Sequence, residues 1–218
     1  MDTHSLFSLT GRTALVTGGS RGIGKMIATG FIAQGAKVYI SSRKADVCEA
    51  VAAELGPNCI AVPEDISTVE GCKALAATMA DKEDAIDILV NNAGAAWGEA
   101  FETFPESAWD KVMDLNVKSP FFLIQALTPL LQARASAEQT AAIINIGSIA
   151  GMVGNGLNTF SYAASKSAIH QLTRITATEL APSHIRVNAI APGRFYSKMT
   201  EFLSEDQAAF EQELQTIP

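Results

Sequence analysis

Cysteine, histidine and long apolar runs are all scarce in this 218-residue chain, and each scarcity excludes something. The cysteines, Cys48, Cys59 and Cys72, are odd in number and form no C-x-x-C pair. They read as free thiols in a reducing compartment, not as a disulfide framework. His4, His170 and His184 stand far apart and near no metal-ligand spacing, so they read as structural or surface residues and no metal site is expected. No run approaches the ~20 apolar residues of a membrane-spanning helix. The opening residues Met1-Asp2-Thr3-His4-Ser5 lack the basic and apolar regions of a secretory leader. Positive charge is also in short supply: 16 Lys and Arg stand against 23 Asp and Glu, a net charge of −7. That balance argues against nucleic acid or an anionic membrane as a partner. The default expectation is a cytoplasmic protein.

What is present is a globular composition, 48% hydrophobic and 18% charged. No repeat, low-complexity tract or linker divides it, so residues 1–218 are expected to form a single domain. Short apolar runs at 12–17, 37–40, 59–62, 86–90, 141–146 and 185–190 read as buried strands. Between them lie segments of helical spacing at 23–34, 47–55, 69–80, 105–133 and 162–180. In the first, Ile23, Ile27, Phe31 and Ile32 form the candidate buried stripe. Alternation of this kind implies right-handed βαβ crossovers. The fold class is α/β, a doubly wound parallel sheet of Rossmann type.

Between the first strand and first helix lies Thr17-Gly18-Gly19-Ser20-Arg21-Gly22-Ile23-Gly24, a G-x-x-x-G-x-G turn. Glycine permits a tight turn and a close approach to phosphate, because no Cβ intervenes. The helix that follows offers unpaired N–H groups and a positive dipole end. Here the turn points to a dinucleotide, with Gly18, Ser20, Arg21, Gly22, Ile23 and Gly24 around its phosphates. An NAD site usually has an acid at the end of the second strand, to accept the ribose 2′-hydroxyl. This strand runs into Ser41-Ser42-Arg43-Lys44, with no acid until Asp46. Arg43 and Arg21 suit a 2′-phosphate, with Ser42 as a further donor, so NADP(H) is expected over NAD(H).

Later in the chain stands Ser161-Tyr162-Ala163-Ala164-Ser165-Lys166, with Ser148 upstream. On a helix, Tyr162 and Lys166 share a face one turn apart. A lysine ammonium there would favour the ionised phenol, which titrates near ~10 when free. A phenol so tuned can pass a proton to or from a substrate oxygen, and Ser148 can hydrogen-bond that oxygen. The spacing alone also fits a half-buried aromatic beside a solvated charge; its setting in a dinucleotide fold favours carbonyl–alcohol chemistry.

Together these stretches resemble the short-chain dehydrogenase/reductase family over nearly the whole chain. The turn Thr17 to Gly24 matches the family's T-G-x-x-x-G-x-G. Asp65, with Ile66 beside it, matches the acid that contacts the adenine ring, and Asn91-Asn92-Ala93-Gly94 the segment after the fourth strand. Asn116, Ser148, Tyr162 and Lys166 match the catalytic positions, and Pro192-Gly193 the turn after the sixth strand. The resemblance implies that Asn92, Ala93 and Gly94 border the cofactor ribose and that Lys166 also binds the nicotinamide ribose. It implies that Asn116 holds a water linking Lys166 to solvent. The carboxamide would meet backbone near Phe195 and the hydroxyl of Ser197, where many relatives have threonine. A nearer likeness is to bacterial 3-oxoacyl-acyl-carrier-protein reductases of the rhamnolipid-biosynthesis type, carried by residues 7–12, 145–151 and 191–200.

The resemblance implies NADPH-dependent reduction of a carbonyl to a secondary alcohol, with a 3-oxoacyl thioester as first choice of substrate and acyl carrier protein as its bearer. Trp97, Met152, Leu157, Phe195, Tyr196 and Met199 lie in segments expected to rim the site. An alcohol, polyol or steroid dehydrogenase is the alternative enzyme, and a non-catalytic NADP(H)-binding protein the alternative from another class. Family members usually continue past the point where this sequence ends, through another helix and a seventh strand. The expectation is therefore a sheet lacking that last helix and strand, a lid over residues 194–218 cut short, and a longer natural polypeptide. A shortened protein with a different assembly is the rival. A homodimer through the helices near 120–131 and 162–180 is expected, and a tetramer is not.

Overall fold

A computed structural model describes residues 6–154 and 158–193. The strands are β1 (Thr13–Thr17), β2 (Lys37–Ser41), β3 (Cys59–Ala61), β4 (Ile88–Asn91), β5 (Ala141–Ile146) and β6 (Ile185–Ile190). Between them run α1 (Gly22–Ala33), α2 (Ala45–Leu55), α3 (Val69–Lys82), α4 (Glu106–Met113), α5 (Ser119–Arg134) and α6 (Phe160–Leu180). All strand pairs are parallel, in the order β3-β2-β1-β4-β5-β6. The chain works outward from β1 to β3, then crosses back to start β4 on the other side of β1. Where the direction reverses, helices on the two faces part and leave a crevice at the carboxyl ends of the strands.

The central parallel strands are covered on both faces, so their residues are mainly apolar, whereas the edge strand β6 exposes Arg186 and Asn188. Ala14 and Val16 of β1 face one core with Val38, Ile40, Val51, Val90 and Ile146. Leu15 faces the other, with Leu75, Met79, Leu89, Leu123, Leu127, Leu131 and Ile143. The strands fall where the apolar runs put them.

Two expectations change in detail. In α1 the fully buried residues are Gly24 and Ala28; Ile23, Ile27, Phe31 and Ile32 are half-buried. Small residues bring this helix close to the glycine turn, since a Cβ on Gly24 would collide with the carbonyl oxygen of Gly18. The expected helix over 105–133 is interrupted by a π-helical turn, Asp114–Lys118, between α4 and α5. Pro120 is the physical reason: it has no N–H to give the carbonyl of Asn116, its partner in an α-helix.

At the opposite end of the sheet, buried Asp87 accepts from Arg12 (2.7 Å), the Thr13 backbone N–H (2.9 Å) and Arg134 (2.9 Å). Arg134 also donates to the Gly11 carbonyl. This joins β1, β4 and the end of α5 away from the crevice.

Candidate active site

The glycine turn sits over the end of β1. Gly18 and Gly22 take positive φ, and Gly18 has no room for a side chain beside Asn92 and Ala93. Its N–H donates to the Ser41 carbonyl (2.8 Å). The Asn92 amide donates to the carbonyls of Thr17 (2.9 Å) and Gly18 (3.2 Å). Thr17 Oγ1 accepts from the N–H groups of Asn92 and Ala93 at 3.0 and 3.1 Å. Asn92 and Thr17 thus fasten the turn to the segment after β4.

No side chain caps the N-terminus of α1, and no acid stands in its first turn. Its first N–H groups face the crevice mouth as anion donors. Arg21 and Arg43 are exposed, and among the described residues neither has an ion-pair partner. Ser42 Oγ is buried without a hydrogen-bond partner among the described residues. A buried, unpartnered hydroxyl next to Arg43 in the chain, with Arg21 in the glycine turn, supplies the donor types a phosphorylated ribose needs.

Across the crevice, Asn116 lies buried in the π turn. Its Oδ1 accepts from the Ala95 N–H (2.8 Å), and its Nδ2 donates to the Ala95 carbonyl (2.9 Å) and Ser165 Oγ (2.9 Å). Ser165 in turn donates to the Tyr162 carbonyl at 2.7 Å. Asn116 therefore binds the segment after β4 to the catalytic-motif helix α6. Ser165 was invisible as a site residue in the sequence, since a serine between Tyr and Lys carries no distinguishing signal.

On α6, Lys166 is 6% exposed and donates to the Ile146 carbonyl at 2.7 Å. Its Nζ stands 5.6 Å from the centre of the Tyr162 ring. Burial pushes its pKa down to about 8. Among the described residues it has no acidic partner. Ser148 follows β5, with its Oγ accepting from the Ala150 N–H (3.1 Å). That contact uses a lone pair and leaves the hydroxyl proton to give away.

A buried chain supports this arrangement from behind. Asn91 Nδ2 donates to Asn145 Oδ1 (2.8 Å), and Asn145 Nδ2 donates to Thr173 Oγ1 (2.9 Å). It locks β4, β5 and α6 together; only the sheet register, which places Asn91 opposite Asn145, reveals it.

The remaining candidates are more scattered. Asp65 is exposed, with Oδ1 accepting from Ser67 N–H, while Ile66 is buried. Pro192 accepts from the Ile149 N–H, and Gly193 is exposed. Trp97, 38% exposed, lies under the Lys111 ammonium at 5.2 Å, and Met152 is 69% exposed. Met152 lines a cavity with Ala163, Ala164 and Ser167 of α6, beside the Tyr162–Lys166 motif. Leu157, Phe195, Tyr196, Ser197, Met199 and the lid over 194–218 lie outside the described residues. Among the described residues no helix is long and apolar enough to cross a membrane.

Known proteins share this arrangement of elements. A family model described as short chain dehydrogenase matches residues 12–208. The rhamnolipids-biosynthesis 3-oxoacyl-[acyl-carrier-protein] reductase of Pseudomonas aeruginosa is 50% identical over 217 residues, 99% of this chain and 85% of that protein. The 5-keto-D-gluconate 5-reductase of Escherichia coli is 36% identical, over 94% of this chain and 80% of that protein. Among solved structures, the Pseudomonas aeruginosa RhlG/NADP active-site complex superposes with a TM-score of 0.92 at 51% identity, covering 95% of this chain and 82% of that one.

Proposed function

This chain belongs to the short-chain dehydrogenase family, and from that premise we propose that it is an NADPH-dependent reductase of 3-oxoacyl thioesters. The observation that carries the chemistry is Lys166, an ammonium buried beside the Tyr162 ring with no carboxylate partner among the described residues. Such a charge is unfavourable to hold and of use only where negative charge develops nearby.

The first-turn N–H groups of α1 would hold the pyrophosphate of NADP(H), and Arg43, Arg21 and Ser42 its 2′-phosphate. Asp65 would meet the adenine, Asn92, Ala93 and Gly94 the ribose, and Pro192 and Gly193 the nicotinamide end. Bound there, the dinucleotide would supply a hydride for the substrate carbonyl carbon. Ser148 donates its hydroxyl proton as a hydrogen bond to the carbonyl oxygen, polarising it. Tyr162 gives that oxygen its proton, and the positive Lys166 faces the charge left on the phenol oxygen. The Asn116 carbonyl, whose α-helical donor Pro120 cannot supply, would hold the water through which Lys166 passes on a replacement proton. Acyl carrier protein would bring the thioester in the cytoplasm, and two copies would pair through α5 and α6.

The similarity to a keto-sugar reductase favours one competing substrate class, a polyol or its ketone. Initial rates of NADPH oxidation with a 3-oxoacyl thioester and with a keto-sugar separate the two. We expect faster turnover of the thioester, with NADPH preferred over NADH and that preference reversed by Arg43→Asp. A faster keto-sugar reaction would overturn the substrate, and an unchanged coenzyme ratio in the variant would overturn the role of Arg43.

A further inference from the structure

His170 takes no part in the chemistry described so far, yet it lies against the turn that carries Ser148. The Ser148 backbone N–H donates to its Nε2, a long hydrogen bond of 3.4 Å. A Cβ on Gly147 would collide with the same Nε2, so the imidazole rests directly on the backbone between β5 and Ser148. One helical turn earlier, Lys166 grips the Ile146 carbonyl from the same face of α6. Residues 146 and 148 are thus each held by one α6 side chain, on either side of a glycine that leaves room for the ring.

We infer that His170 is a positioning residue for Ser148: its neutral imidazole holds the Ser148 backbone in place through Nε2, and protonation of the ring releases it. The inference rests on the reductase reading above, in which Ser148 aligns the substrate carbonyl. A backbone N–H can only donate, so Nε2 must be unprotonated and the ring proton must sit on Nδ1. The Ser148 hydroxyl is fixed through its own turn, by accepting from the Ala150 N–H, so its location follows the backbone. Holding that backbone therefore aims the hydroxyl.

The surroundings oppose a charged ring. Lys166 and Arg174 flank His170 on its own helix, one turn to either side. Residues 141–154 and 187–193, the segments of β5, its turn and β6 that face the ring, contain no titratable side chain. Burial first, then Arg174 and Lys166, hold its pKa below the usual histidine value. The ring is accordingly neutral at pH 7, and only acid converts Nε2 from acceptor to donor. At that point two donors confront each other and the Ser148 backbone loses its hold.

Two variants and two readouts test this. His170→Leu removes the acceptor; His170→Gln offers an amide oxygen that accepts at any pH. With a 3-oxoacyl thioester we expect His170→Leu to lower kcat about tenfold at pH 7 with NADPH affinity unchanged. His170→Gln should restore most of the rate and remove the fall in wild-type kcat on the acid side of neutrality. The second readout needs no turnover: the Ser148 amide NMR resonance should follow the His170 titration in wild type and stay fixed in His170→Gln. A Ser148 amide blind to that titration overturns the inference whatever the activity. So does a wild-type acid limb that persists unchanged in His170→Gln, which settles the matter if His170→Leu fails to fold. A wild type inactive on every carbonyl, with its Ser148 amide still tracking His170, would instead overturn the reductase reading and leave the coupling intact.

Discussion

At the scale of single residues, Lys166 sets function against stability. Its pKa of about 8, against the usual 10.5, means the folded protein resists the charged form. At about 1.4 kcal/mol per unit of pH, the gap corresponds to about 3 kcal/mol. The sign follows from which state binds the proton more tightly. Below pH 8 both states carry the charge and the native state bears the whole penalty; between pH 8 and 10.5 the native lysine is already neutral, and the penalty fades. Lys166→Met should therefore stabilise the cofactor-free protein at pH 7 by about 1–2 kcal/mol, the loss of the Ile146 contact offsetting part of the gain. Thermal melts at pH 7 and pH 10 check this. The advantage should shrink at the higher pH, and equal or lower stability of the variant at pH 7 would contradict it. Residues with a fixed spacing, Tyr162 and Lys166 above all, were legible in the sequence because one helical turn dictates their shared face. Ser165 and Thr173 were not, because a hydroxyl on a helix bonds as readily to the preceding turn as to a distant partner.

At the scale of elements, the stretch over 105–133 is helical as expected, from Glu106 to Arg134, and the informative detail is the π turn within it. The apolar spacing of the stretch continues without a break, so periodicity alone describes one helix. The interruption is written in Pro120, whose missing N–H disrupts the turn that carries Asn116. The strands were easier to read, since both faces of the central parallel strands are buried and leave plain apolar runs between glycines. We predict that Pro120→Ala, by restoring the missing donor, draws this turn toward α-helical register and displaces Asn116 from Ala95 and Ser165. Turnover should fall about tenfold or more while NADPH affinity holds, since a small misplacement at a reacting centre is amplified in the rate. Stopped-flow rates beside NADPH titrations measure both, and an unchanged kcat would show that the π turn is incidental.

At the scale of the whole molecule, the two ends of the sheet do different work. The carboxyl ends gather glycine, orphaned hydroxyls and a buried ammonium, none of which favours stability. The opposite end is tied by Asp87, 2% exposed, to Arg12, Thr13 and Arg134. Burial alone would raise its pKa, but Arg12, the Thr13 N–H and Arg134 together hold it below the ordinary aspartate value. Such a group stabilises the fold above its usual pKa of 3.8, and that contribution is lost as pH falls through the lower native value. Asp87→Asn should cost about 2–3 kcal/mol at pH 7, less than a fully buried pair because both arginines reach solvent. Urea unfolding at pH 7 and pH 3 would show the difference narrowing in acid; a variant as stable as wild type at pH 7 would remove Asp87 from this role. Activity per folded molecule should stay the same, because the crevice lies at the other end of the strands.

The central claim, that Tyr162 gives the proton in an NADPH-dependent carbonyl reduction, is tested most directly by Tyr162→Phe. The substitution removes one oxygen and keeps the ring that packs beside Lys166. NADPH consumption with a 3-oxoacyl thioester, read beside NADPH affinity in the same preparation, should fall by about a thousandfold or more with affinity nearly unchanged. Turnover retained in a variant that binds NADPH as the wild type does would contradict the account.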